Sequence, residues 1–277
     1  MPCSAANISI SVSSIPSFSG KRRGIRCRPR TWDRRRNKVA IPLKGEDVAQ
    51  VELHSLHLRD GLDVPNWILS EQERHRAAAF RSTEARRLFV AGRFLCRRIL
   101  GNLLGCPPQA LTIAITSSGR PYLPDHPDID FNISHTHDRV ALAICRGGRI
   151  GIDIERPDAF SEDEASEIMP MILSEQELNQ VRQLDRQHRR DALLACWLQK
   201  EAALKCLGHG FLTDPQSVML APEDTTSSIN NQVSGEPIFI RCGRIGDREA
   251  GDFQWAIATS RLVAEPRWQH HISGISL

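Results

Sequence analysis

Leu69-Ser70-Glu71-Gln72-Glu73 recurs as Leu173-Ser174-Glu175-Gln176-Glu177, and each copy opens the same order of elements. In both, a Ser precedes an apolar-periodic run and a Glu follows three residues on, the pattern of a capping box. Behind the first copy a helical pattern runs, interrupted near Ser82-Thr83, through 85–104 and stops at Gly105-Cys106-Pro107-Pro108. Short strands are expected at 111–115, 130–133 and 140–145. The last turns at Arg146-Gly147-Gly148 and continues extended over 149–155, so 139–155 reads as a hairpin. Behind the second copy come a helix over 191–207, a Gly-containing stop, and strands at 238–242 and 253–259. The repeated order predicts an α+β fold, a pseudo-dimer of two similar α+β subdomains with the active site in the cleft between them. The expected boundaries are an arm over 1–45, subdomains over 46–150 and 151–265, and a tail over 266–277.

Composition narrows the classes. Hydrophobic residues at 40% and charged residues at 25% of 277 argue for a globular chain over a disordered or fibrous one. The longest apolar run, 192–198, falls far short of the roughly 20 residues that span a bilayer, so no membrane partner is expected. The net charge of +3 hides an asymmetry. Residues 1–40 hold ten Lys or Arg against Asp33 alone, so the arm carries +9 and the rest −6. Nucleic-acid binding would rest on that arm, and no nucleic-acid partner is expected of the mildly acidic body. The arm is Ser- and Arg-rich and acid-poor, resembling a transit peptide or a solvated tail. The cytoplasm is the expected location, with a plastid or mitochondrion as the alternative if the arm is a working transit peptide. Eight scattered cysteines without a CxxC pair fit neither a zinc ribbon nor a disulfide framework.

Three stretches carry chemistry. In Gly151-Ile152-Asp153-Ile154-Glu155 a strand puts Gly151, Asp153 and Glu155 on one face. Two carboxylates about 7 Å apart beside a residue with no side chain leave room for a hard cation. The bland alternative is a strand with its acids in solvent. Trp197, Glu201 and Lys205 fall at i, i+4 and i+8 of a helix, so Glu201 offers a third carboxylate and Lys205 a phosphate-binding ammonium. Alone, these are an ordinary solvated Glu–Lys pair. Between them and the first half lie Gly119-Arg120-Pro121-Tyr122, with Arg120 placed to read a phosphate bidentately, and Phe131-Asn132-Ile133-Ser134-His135 at a loop start.

FNISH, GIDIE and WLQKEAALK, in this order and spacing, closely resemble the signatures of the surfactin-type (Sfp-like) 4′-phosphopantetheinyl transferases. The GRPY segment and the AGRFLCRR helix belong to the same resemblance, which spans 65–215 by motif and reaches about 260 by element order. It implies a monomeric pseudo-dimer that moves the phosphopantetheine arm of coenzyme A to a serine of an acyl or peptidyl carrier protein, releasing adenosine 3′,5′-bisphosphate. It implies Mg²⁺ held by Asp153, Glu201 and Glu155, with Glu201 also as general base. Lys205 is implied on the pyrophosphate and His135, Ser134 and Asn132 on the coenzyme A phosphates, with Arg120 on the nucleotide side. The basic residues for the 3′-phosphate are expected from the first helix. Arg81, Arg86, Arg87 and Arg93 compete there, and Arg81 and Arg87 are chosen. Arg182, Arg186, Arg189 and Arg190 are expected to meet an acidic carrier, or else to form a solvated helix face.

Three rivals stand beside this reading. A Mg²⁺-dependent phosphodiesterase would use the same carboxylates with water as nucleophile. A nucleic-acid-binding protein would be led by the arm. A degenerate paralogue would bind coenzyme A without turning it over.

Overall fold

The computed structural model describes residues 49–58, 66–208, 214–218, 220, 226–230, 237–246, 251–263 and 266–272; the arm expected over 1–45 lies outside the described residues. The first half runs β1 (Gln50–His57), α1 (Glu71–Ala78), α2 (Thr83–Leu104), a short ribbon of β2 (Ala114–Ile115) and β3 (Pro121–Tyr122), then β4 (Ile129–Thr136) and β5 (Arg139–Arg146). The second runs β6 (Ile150–Glu155), α3 (Glu162–Ile172), α4 (Glu175–Arg182), α5 (Arg186–Leu207), β7 (Thr226–Asn230), β8 (Pro237–Ile245) and β9 (Phe253–Thr259), followed by β10 (Arg267–Ile272). Strand, helices, strands is thus the order of both halves, as the repeat predicts.

Both capping boxes form. The Glu73 amide donates to Ser70 Oγ at 3.2 Å while the Ser70 amide donates to Glu73 Oε2 at 2.9 Å. Ser174 and Glu177 repeat this at 3.4 and 2.8 Å. Each capping Glu has a second task that no local pattern announces. Glu73 Oε2 takes Arg97 Nε of α2 at 2.7 Å, and Glu177 Oε2 takes Lys200 Nζ of α5 at 2.7 Å. Arg97 also donates to the carbonyls of Pro108 and Leu111, and Lys200 to those of Ile172 and Pro215. Each half therefore ties its short helix, its long helix and the following Pro turn through one buried cation. Both long helices end at a left-handed glycine, Gly105 and Gly208, the conformation that Gly adopts without a Cβ clash.

Two four-stranded sheets, ordered β10-β1-β5-β4 and β6-β9-β8-β7, lie between the long helices. Alternation along β5 shows the layering. Val140, Leu142 and Ile144 pack with Leu88, Leu95 and Leu100 of α2, while Ala141, Ala143 and Cys145 pack with Ile150, Ile152 and Ile154 of β6. The near-continuous apolar run of β5 is that of a strand buried on both faces. On the far side α5 presents Leu198, Ala203 and Leu204 to Ile240, Ala256 and Ala258. The layers are helix, sheet, sheet, helix.

Three expectations are corrected. β5 and β6 do not form a hairpin: β5 pairs with β4 and β1, β6 pairs with β9, and the Arg146–Arg149 turn carries the chain from one sheet to the other. The tail expected over 266–277 begins with a strand, because β10 joins the first half's sheet parallel to β1, from Glu52↔Arg267 to His57↔Ile272; 273–277 lie outside the described residues. Trp268 anchors β10, packing edge-on against Phe253 at 5.4 Å. The strand expected at 111–115 is reduced to Ala114–Ile115.

Candidate active site at the junction of the sheets

β6 uses one edge to pair with β9 and turns the other toward β4, yet no backbone ladder joins β4 to β6. Side chains take its place. Asp130 Oδ2 accepts the Ile150 amide at 2.8 Å, Asn132 Oδ1 the Ile152 amide at 3.0 Å, and Ser134 Oγ the Ile154 amide at 3.4 Å. Polar residues at alternate positions of β4 thus satisfy the alternate amides of β6, which would otherwise be buried unpaired. The carbonyls are met by cations. Arg120 Nη2 donates to Ile150 O at 2.7 Å and Lys205 Nζ to Ile152 O at 3.2 Å.

The reactive groups collect at the end of this ladder. Lys205 Nζ, on the last turn of α5, lies 2.6 Å from Asp153 Oδ1. Ser134 Oγ donates to that same oxygen at 2.7 Å and lies 3.4 Å from Nζ. Thr136 Oγ1 donates to Glu155 Oε2 at 2.7 Å. Asp153 and Glu201 are both buried, and Lys205 keeps 26% of its side chain exposed.

The electrostatics show crowded acids. Burial first, and then the Asp153 charge, pushes the Glu155 carboxyl up to about 7. Burial likewise raises Glu201; Lys205 opposes this shift and Asp153 adds to it. For Lys205, burial pulls the ammonium down, but Asp153, Glu201 and Glu155 together hold it above its ordinary value. His135 is held below 6.5 by partial desolvation and then by the Lys205 charge.

The donor set fits a hard cation in kind. Asp153 is within electrostatic reach of both Glu155 and Glu201, and its Oδ2 is buried without a hydrogen-bond partner. With Lys205 on the other Asp153 oxygen, no three His, Cys, Asp or Glu side chains among the described residues close round one point. The space beside Gly151 does not belong to that site. A Cβ there would stand 2.0 Å from Ala202 O and 2.4 Å from the Cys206 amide, so the glycine admits the backbone of α5 rather than a cation. This close approach brings Glu201 and Lys205 to Asp153.

Other expected residues divide. Asn132 and Ser134 face β6, and alternation puts His135 on the opposite face of β4, exposed near its end. Arg120 is turned inward onto protein groups. Arg87 donates to Leu58 O at 2.8 Å, and Arg81 and Arg86 are exposed. Arg93 is buried, 5.4 Å over the Phe89 ring and 3.8 Å from Glu73. Trp197 packs edge-on against Phe160 and against α3. Asp130, Thr136 and Lys200, and the second role of Glu177, are not expected from the sequence. The alternation Asp130, Asn132, Ser134, Thr136 on an otherwise apolar strand was a legible signal for the first two, whereas the Lys200–Glu177 pair leaves none.

The family described as 4′-phosphopantetheinyl transferase superfamily matches residues 149–258, and that described as 4′-phosphopantetheinyl transferase, N-terminal, matches 62–146; the two meet where the chain crosses between the sheets. The 4′-phosphopantetheinyl transferase HetI of Nostoc sp. is 33% identical over 170 residues, 56% of this chain and 70% of that protein. The 4′-phosphopantetheinyl transferase of Bacillus subtilis is 29% identical over 175 residues, 62% of this chain and 75% of that protein. The L-aminoadipate-semialdehyde dehydrogenase-phosphopantetheinyl transferase of Xenopus laevis is 26% identical over 178 residues, 61% of this chain but only 59% of that protein.

Proposed function

Because the chain belongs to the 4′-phosphopantetheinyl transferase superfamily, we propose that it moves the 4′-phosphopantetheine group of coenzyme A onto a serine hydroxyl of an acyl or peptidyl carrier protein. The observation that carries this reading is the gathering of Asp153, Glu155, Glu201 and Lys205 at the open end of the β4–β6 junction. The serine Oγ forms a bond to the phosphorus bearing the pantetheine arm, and the pyrophosphate bridge bond breaks, releasing adenosine 3′,5′-bisphosphate. The reaction asks for positioning and for neutralisation of charge growing on the leaving phosphate. Lys205 is the ammonium placed to receive that charge. Glu201, whose carboxyl is raised by burial, takes the serine proton. Mg²⁺ held by Asp153, Glu155 and Glu201 would neutralise the pyrophosphate. His135, exposed at the end of β4, supplies a phosphate contact. Arg81 and Arg87 are the proposed ligands of the 3′-phosphate.

The carrier partner is acidic in this reading. Arg186 is the best placed to meet it, with 83% of its side chain exposed and only a 3.7 Å contact to Glu162. Arg189 is partly committed, donating to Leu184 O and Arg182 O. The protein acts as a monomer, in the cytoplasm unless the arm directs it to an organelle.

Intact-mass spectrometry of apo carrier proteins incubated with the protein, coenzyme A and Mg²⁺ tests the proposal. The carrier domain of an L-aminoadipate-semialdehyde dehydrogenase belongs in the panel, since the Xenopus relative's name points to it. The expected result is one added phosphopantetheine group, lost with EDTA and with Asp153→Ala. Phosphopantetheine released without any acceptor would establish the phosphodiesterase instead, and no gain with no coenzyme A binding would end the proposal.

A further inference from the structure

We infer that Arg120 is a positioning residue, a clamp by which the first half holds β6 and the last turn of α5 in register, and that it does not read a phosphate. Its loop is set before the side chain is considered. Gly119 takes φ 86°, the Thr116 amide donates to Arg120 O at 2.8 Å, and the Arg120 amide donates to Thr116 Oγ1 at 3.0 Å. The guanidinium is then spent on protein acceptors. Nη2 donates to Asp130 Oδ2 at 2.6 Å, to Ile150 O at 2.7 Å and to Phe131 O at 3.4 Å, and Nη1 donates to the carbonyl of Lys205. Only 9% of the side chain is exposed.

Asp130 completes the grip. The oxygen that accepts from Arg120 also accepts the Ile150 amide, so the pair holds both outward backbone groups of Ile150. A guanidinium presents five donors in a rigid fork, suited to several fixed acceptors at once. It also supplies a cation to a helix C-terminus, where carbonyls lack intrahelical partners. The carbonyl it holds belongs to Lys205, whose Nζ contacts Asp153. Releasing the clamp frees the last turn of α5 and β6 to shift, and with them the lysine and the carboxylate.

The consequence for activity rests on the coenzyme A reading above, so the test has one arm that needs no coenzyme A. Hydrogen exchange followed by mass spectrometry compares the wild type with Arg120→Met and Arg120→Lys. The clamp requires faster exchange in Arg120→Met over 150–154 and 202–208 with α2 unchanged, and a smaller effect in Arg120→Lys. If neither segment changes, the clamp is wrong. The second arm measures kcat and KM for coenzyme A and for 3′-dephospho-coenzyme A. A positioning role predicts a fall in kcat of about tenfold or more, with the preference between the two kept within about twofold. A preference collapsing toward unity would make Arg120 a phosphate ligand and overturn the inference. Should Arg120→Met fail to fold, Arg120→Lys carries both arms. Wild-type protein that binds neither nucleotide would sink the proposed function while the exchange arm still decides the clamp.

Discussion

Asn132 Oδ1 accepts the amide proton of Ile152 at 3.0 Å, and through this bond one half of the molecule completes a strand edge belonging to the other. Asp130 to Ile150 and Ser134 to Ile154 repeat it at the same twenty-residue offset, so β4 and β6 run side by side in the same direction without a shared backbone ladder. A strand pairing would have fused the two sheets. Side chains join them while leaving the two faces free to pack and the end of β6 open to a ligand.

Asn132→Ala should therefore leave the Ile152 amide buried and unpaired, destabilising the protein by about 1–3 kcal/mol. Urea midpoints would show it. A change confined to activity, with the midpoint unmoved, would mean that water or a shifted strand replaces the bond.

Lys200 is 0% exposed and has three acceptors, Glu177, Ile172 O and Pro215 O. Lys200→Met abandons the Glu177 carboxylate in the interior and should cost about 3–5 kcal/mol. Replacing both, as Lys200→Met with Glu177→Leu, removes the stranded charge and should recover a measurable part of the loss in a double-mutant cycle. The Ser174 amide and Leu220 amide, which also use Glu177, set a limit on that recovery.

Gly151→Ala brings a Cβ into the backbone of α5 and should push the helix off β6, with loss of both stability and turnover. Gly92 is the control, because a Cβ there meets only Ile133 and Val140 at 3.5 and 3.6 Å, ordinary contact. Gly92→Ala should be neutral or raise stability by up to about 1 kcal/mol, since Ala is the better helix former. Thermal melts should fall for Gly151→Ala and stay level or rise for Gly92→Ala.

Glu201→Gln should lower turnover by about 10²–10⁴-fold while coenzyme A binding persists, if the carboxylate takes the serine proton. Turnover by mass spectrometry and binding by calorimetry separate the two effects; unchanged turnover would remove Glu201 from the mechanism.

His54 of β1 is buried, its Nδ1 3.3 Å from Nε2 of His271 on the neighbouring β10. Burial, then His271, holds its pKa below 6.5, and His271 is lowered too, by burial and then by His270. The unfolded chain therefore binds these protons more readily. The stability they contribute is complete above pH 6.5 and declines as the pH falls from there toward the folded values. Chemical denaturation at pH 7.5, 6.5 and 5.5 should show wild type losing more stability on acidification than His54→Gln. Parallel losses would place the acid sensitivity elsewhere.

Ser70 with Glu73 and Ser174 with Glu177 were legible as helix starts because capping is a contract between residues three apart, settled before any tertiary contact forms. Gly105 as a helix stop and the carboxylates of β6 were legible for similar local reasons. The expected β5–β6 hairpin does not form because Arg146-Gly147-Gly148 specifies a turn but not the sheet that the next strand will join. β10 is not legible because its run Arg267-Trp268-Gln269-His270-His271-Ile272 shows no apolar alternation, and its ladder to β1 is a pairing between residues more than 200 apart.

The sequence by itself therefore determined where α1 and α4 begin and where α2 and α5 stop, that the molecule is built twice over, and that β6 carries two carboxylates on one face. The tertiary structure alone decided that Gly151 makes way for a helix, that Arg120 and Asn132 turn inward, and that Lys205 meets Asp153. Capping and periodicity are set by neighbours within a turn of helix or a pair of strand residues. The partner of a strand edge and the approach of two backbones are chosen by residues far apart in the chain, where only close packing and the need to pair every buried polar group select among the alternatives.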